Sequence, residues 1–156
     1  MSERAAPKRR PFALGRRRIA AAGAVLLVAA LSAGCAASKP VRFDIWDATE
    51  LADAHAPEDG RVYVKFFLPA GASLSEGMEG FWPVLARAAE RGHHVALLGA
   101  DSGLNRQVLT GTLEDAAAEM SLEDVRLVYL GPDRDRAEVV AAAEAAGLEL
   151  GYVVYP

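Results

Sequence analysis

Asp101, Ser102 and Asn105 stand within one seven-residue stretch, Gly99–Asn105 (GADSGLN), and bring a carboxylate, a hydroxyl and an amide between glycines. An acid beside a hydroxyl is the raw material of a hydrolase, and a glycine-rich turn after a strand is that of a phosphate cradle. Both readings are incomplete here. An activated serine needs a nearby base, and His55, His93 and His94, the three histidines of the chain, all precede Ser102. The glycine spacing fits neither a dinucleotide fingerprint nor a P-loop, and no lysine follows. The plainer expectation is that Asp101 or Ser102 caps the helix that follows.

A second group, Asp133 and Asp135 in Gly131–Arg136 (GPDRDR), places two acids after an apolar run. With Asp101 they are the material for a weak divalent-cation site, although Gly131-Pro132 as a turn and Asp133 as an N-cap account for the segment without chemistry. His93-His94 is the one conspicuous histidine pair. Adjacent residues of a strand point to opposite faces, so the pair is expected in a solvated loop. No metal site and no cofactor is assigned. A third group lies in Pro69–Gly80 (PAGASLSEGMEG), read as the longest and most glycine-rich loop, with Ser73, Ser75, Glu76 and Glu79. It is either a lid or binding loop or a flexible crossover with Ser73-x-x-Glu76 as a capping box. The catalytic candidates are thus Asp101, Ser102 and Asp133, and the ligand-binding candidates are Glu76, Asn105 and Asp135.

The elements that must hold these groups alternate. Val62–Leu68, Val95–Gly99, Val125–Leu130 and Leu148–Tyr155 are rich in β-branched and aromatic residues and read as strands. Between them, Glu79–Arg91 shows helical spacing at Phe81, Leu85 and Ala88, with Pro83 suited to a first turn. Leu104–Met120 also reads as helical, with a break expected at Gly111. Asp133–Ala146 ends at Gly147, a natural residue after a helix. Val41–Trp46 alternates apolar and polar residues and reads as a half-exposed edge strand, followed by a short helix over Thr49–Ala56. Strands alternating with helices imply βαβ units. The expected fold is a small Rossmann-like α/β sandwich around a mostly parallel sheet of four or five strands, with ligands beyond the carboxyl ends of the strands.

Charge divides the chain. Residues 1–34 hold seven basic side chains and one acid, whereas residues 35–156 hold ten basic residues and twenty acids. The acidic part would repel a phosphate backbone, which excludes a nucleic-acid partner. The basic part precedes an uncharged 16-residue stretch, Ile19–Gly34, short for a bilayer span but right for the core of a secretory signal. The stretch ends in Leu31-Ser32-Ala33-Gly34-Cys35, with the only cysteine of the chain in last place.

This ending resembles the lipobox of bacterial lipoproteins, with Ser32 standing where that family most often has Leu. The resemblance covers residues 1–35 alone. It implies that residues 1–34 are a signal peptide cut away on export, and that Cys35 receives diacylglycerol and further acylation such as palmitate. Residues 35–40 would then be a lipidated tether and 41–156 the α/β domain. Arg9-Arg10 and Arg16-Arg17 faintly resemble twin-arginine export motifs. GADSGLN resembles the Gly-Asp-Ser block of SGNH hydrolases only superficially, because Ala100 interrupts it, and Asp133-x-Asp135 resembles the acid pair of haloacid-dehalogenase-like phosphatases without their further motifs. The expectation is a non-enzymatic envelope lipoprotein on the bacterial cell membrane or outer membrane. It touches the bilayer through acylated Cys35, and its periplasmic domain binds an envelope protein partner or ligand, with Trp46, Phe81 and Trp82 as anchor candidates. The alternative is a small periplasmic hydrolase or metal-dependent enzyme using acids at the carboxyl edge of the sheet.

Overall fold

The computed structural model describes residues 42–155. Cys35 and the segment before it lie outside the described residues. Four strands, β1 (Tyr63–Leu68), β2 (His94–Gly99), β3 (Arg126–Gly131) and β4 (Glu149–Val154), form one sheet in the order β1-β2-β3-β4. All three pairings are parallel. Each crossover carries one helix: α2 (Leu74–Arg91), α3 (Ser102–Glu119) and α4 (Arg136–Ala145), the last entered through a single 3-10 turn, Asp133–Asp135. A small α/β fold with a parallel sheet is therefore what the alternation of patterns specifies.

Both faces of such a sheet must be covered, because its central strands β2 and β3 are apolar beyond their first residues. Phe81, Leu85, Val108, Leu109, Leu113 and Val139 from α2, α3 and α4 pack with Val95, Leu97, Leu127 and Tyr129, so all three crossover helices share one face. The opposite face is covered by α1 (Ile45–Ala54), whose Ala48 and Ala52 lie on Ala96, Leu98, Val128 and Leu130. Alanines on the helix and Ala96 on the sheet bring α1 close, and Tyr63 of the edge strand bonds through its hydroxyl to the Ala52 carbonyl at 3.0 Å.

Helix α1 replaces the expected edge strand at Val41–Trp46. Val41 is outside the described residues, and the helix begins at Ile45 because Asp44 accepts hydrogen bonds from the amides of Trp46 (2.8 Å) and Asp47 (3.4 Å). The alternation of Val41, Phe43 and Ile45 stops at this cap. Phe43 instead packs edge-on against Tyr155, 5.9 Å between ring centres. The helix expected over Thr49–Ala56 is thus the second half of a longer one.

Two further helices differ from their sequence patterns. The loop expected over Pro69–Gly80 ends at Ser73, since the capping box forms: Ser73 Oγ accepts the Glu76 amide at 3.3 Å, and Glu76 accepts the Ser73 amide at 2.8 Å. Pro83 therefore lies inside α2 rather than in its first turn. Helix α3 runs unbroken through Gly111, because a Cβ there would meet Met78 Cε at 3.0 Å and Sδ at 3.2 Å; the glycine makes room for a neighbouring helix. At Gly77 the same contact tightens, with a Cβ placed 2.5 Å from Val108. These two glycines set the close approach of α2 and α3.

Candidate functional site

The carboxyl edge of the sheet is where the sequence placed its chemistry. Asp101 caps α3, its Oδ1 accepting the Leu104 amide at 3.0 Å. Ser102 is the first residue of that helix, and its backbone carbonyl accepts the Tyr129 hydroxyl at 3.4 Å. Asn105 is 1 % exposed and turned inward, Nδ2 donating to the Gly99 carbonyl at 2.9 Å. Gly99 is required at this point, since a Cβ would lie 2.3 Å from Asn105 Oδ1. The amide read as a ligand group is thus part of the strand-to-helix turn.

Asp133 is not the N-cap expected of it. The chain makes a 3-10 turn first, and the Asp133 carboxylate accepts Arg136 Nε at 3.1 Å. Asp135, with its side chain 12 % exposed, lies 3.9 Å from Arg106 and 3.7 Å from Arg134. Arg106 in turn donates to both oxygens of Glu138, at 2.5 and 2.6 Å. The Glu138 carboxylate, first among these partners, holds the Arg106 guanidinium above its ordinary range. Sequence reading missed Arg106 and Glu138, the pair that ties α3 to α4. It also missed Tyr129 and Tyr152, whose rings meet at 5.5 Å, tilted by 52°, beside Gly131. Burial raises the pKa of both phenols, so they act here as neutral hydrogen-bond donors. Among the described residues, no group of three or more His, Cys, Asp or Glu side chains converges to hold a metal ion.

Among the described residues the strand order offers no switch-point crevice at this edge. In open α/β sheets a ligand enters where strand order reverses and adjacent crossovers diverge to opposite faces. In β1-β2-β3-β4 the order never reverses, and the three crossover helices stay side by side.

His94 corrects a second expectation. It opens β2, is only 4 % exposed, and both ring nitrogens are engaged. Nδ1 accepts the Arg126 amide at 3.2 Å and Nε2 donates to Asp59 Oδ2 at 2.7 Å. Because one nitrogen accepts a backbone N–H, the ring proton sits on the other, and the ring joins β2, β3 and the loop before β1. The hydrogen bond from His94, followed by that from the Arg61 amide, holds the Asp59 carboxyl below its usual range. Glu76 is likewise lowered, first by the Ser73 amide and then by its hydroxyl. Glu76 therefore serves the capping box.

The groups free to meet another molecule lie elsewhere. Trp46 on α1 is 80 % exposed beside the exposed Ile45, whereas Phe81 is wholly buried in the core. Between α2 and α3, a groove of about 450 Å3 is lined by Ser75, Met78, Glu79, Trp82, Thr112 and Asp115. It continues past Trp82 and Asp115 into a more polar groove with Glu114, Ala118 and Glu119. Asp101, Ser102 and Asp133 line neither groove. No protein-family model, no curated protein and no solved structure matches this chain.

Proposed function

We propose that the chain is an exported bacterial lipoprotein, cut before Cys35 and anchored by lipid on that residue, whose α/β domain binds a protein partner outside the cytoplasm without catalysing a reaction. The binding half of this reading rests on Trp46, an indole 80 % exposed on a helix where Ile45 is exposed beside it. Large aromatic side chains are the commonest anchors of protein interfaces, because they bury much area for little conformational entropy. The engagement of Asp101, Asn105, Asp133 and Asp135 within the fold supports the same reading, as it ties the chemically capable side chains to helix caps and ion pairs. The anchoring half rests on the sole cysteine closing the apolar core of the signal.

Two measurements test the halves separately. Metabolic labelling with a fatty-acid analogue should mark the wild type and leave Cys35→Ala unlabelled; label retained in the variant overturns the anchor. A photo-crosslinking amino acid at position 47, next to Trp46, should give a discrete adduct in cells. That adduct should disappear with Trp46→Ser; an unchanged adduct, or none with either protein, overturns the partner surface.

A further inference from the structure

The geometry points to the groove between α2 and α3 as a docking site for an arginine- or lysine-bearing segment of a partner protein, an inference that rests on the binding reading above and adds to it a second surface, on the face of the sheet opposite α1 and Trp46. Four features converge there. Glu79, Glu114, Asp115 and Glu119 edge the groove, and among the described residues none of them is within ion-pair distance of a cation. At the carboxyl edge Asp133, Asp135 and Glu138 each have an arginine close by and Asp101 holds a helix amide, so this contrast is local and does not follow from net charge alone. Trp82 stands where the apolar and acidic parts of the groove meet, and an indole face attracts a guanidinium or ammonium group. Met78 supplies a deformable apolar floor.

The fourth feature is Thr112. It forms part of the groove lining, is 0 % exposed, and its Oγ1 has no hydrogen-bond partner. A hydroxyl on a helix ordinarily returns to a carbonyl one turn back, as Thr110 does to Arg106 at 3.0 Å. An unmet polar atom beneath an acidic, aromatic groove is the position a donor from a bound chain would satisfy. From Thr112 to Glu119 the helix rises about 10 Å, enough for three extended residues. A cation over Trp82 would lie beside Asp115, with a second toward Glu119 and an apolar side chain toward Met78.

The test uses the purified full-length protein in detergent and tri-arginine amide as the probe, with tri-glutamate amide as control. Binding is followed by amide and indole NMR shifts. Tri-arginine should shift the Trp82 indole and the Thr112 and Asp115 amides, with an affinity that falls as salt rises. Glu79→Gln with Asp115→Asn should weaken binding about tenfold or more, and Trp82→Leu about two- to fivefold. Glu58→Gln with Glu144→Gln removes two exposed acids elsewhere and should leave affinity within twofold. Equal weakening by the two double variants would mean diffuse attraction to an acidic domain and would overturn the site, as would shifts that bypass Trp82. Each variant's melting curve establishes that it is folded. If the cross-link beside Trp46 persists while tri-arginine fails, the groove falls and the binding reading stands; if both fail, both fall.

Discussion

Phe81 and Trp82 are neighbours in sequence and opposites in the molecule. The first lies against Phe66, 5.4 Å between ring centres, in the core shared by the three crossover helices. The second is only partly buried and lines the groove between α2 and α3. The same contrast separates two sets of acids. At the carboxyl edge Asp133, Asp135 and Glu138 have arginines beside them and Asp101 holds a helix amide, whereas in the groove Glu79, Glu114, Asp115 and Glu119 face outward without a cation. Residue type therefore says little about role in this domain. What separates the two sets is whether the chain already supplies a cation or a helix amide; of the groove acids, Glu79 accepts the Ser75 hydroxyl at 2.9 Å.

That contrast can be broken by measurement, beginning where the effect is largest. Phe81→Ala should cost about 3–5 kcal/mol by chemical denaturation, the usual range for emptying an aromatic core site, while Trp82→Ala should cost about 1–2 kcal/mol because only part of its ring is covered. Equal costs would make Trp82 a core residue. Gly99→Ala and Gly131→Ala should each lose about 1–3 kcal/mol through overpacking, since the new methyls would meet Asn105 and Tyr129. Asp101→Ala should lose about 1 kcal/mol, the worth of an N-cap. Asp115→Asn and Glu119→Gln should stay within about 0.5 kcal/mol of the wild type, as exposed positions do. A large loss there would show that the groove acids serve the fold.

The smallest effect is one of pH. Asp59 and Glu76 both have carboxyls lowered in the folded chain from their ordinary 3.8 and 4.5. Their contribution is complete above those values and is lost as pH falls through the lower folded values. Stability should therefore decline below about pH 4.5, and Asp59→Asn should flatten part of the decline. An Asp59→Asn protein with the wild-type acid profile would remove the His94 bond from the account.

The four strands and three crossover helices were legible from the sequence because each buries an unambiguous pattern. VALLG has no polar position, and Phe81, Leu85 and Ala88 recur at helical spacing. The capping roles of Asp101 and Ser73-x-x-Glu76 were legible for the same reason: a cap is local, and its partners are three residues away. What failed was non-local. Gly111 reads as a breaker until Met78 lies against it. Asp133 reads as a cap until Arg136 takes its carboxylate. His94 reads as a solvated turn until the Arg126 amide, 32 residues on, arrives at its ring. The start of α1 was misread because Asp44, the residue that ends the alternation, looked like one more polar position in a strand. The groove was invisible because its two sides come from different crossovers.

Tyr155 closes the molecule in a way that bears on how it comes together. Its hydroxyl accepts the Asp44 amide at 3.1 Å and donates to the Asp44 carbonyl at 3.2 Å, a bond across 111 residues. Most other contacts between elements join neighbours in chain order, strand to next strand and helix to next helix; α1, which lies across β2 and β3, is the exception. A chain arriving amino end first can thus lay down its sheet one crossover at a time, each new strand meeting an edge already formed, which keeps the loop to be closed short and the search fast. Only the latch between Asp44 and Tyr155 must wait for the last residues. Until it shuts, α1 is held toward the far edge of the sheet only by its packing over Leu130 and Val153.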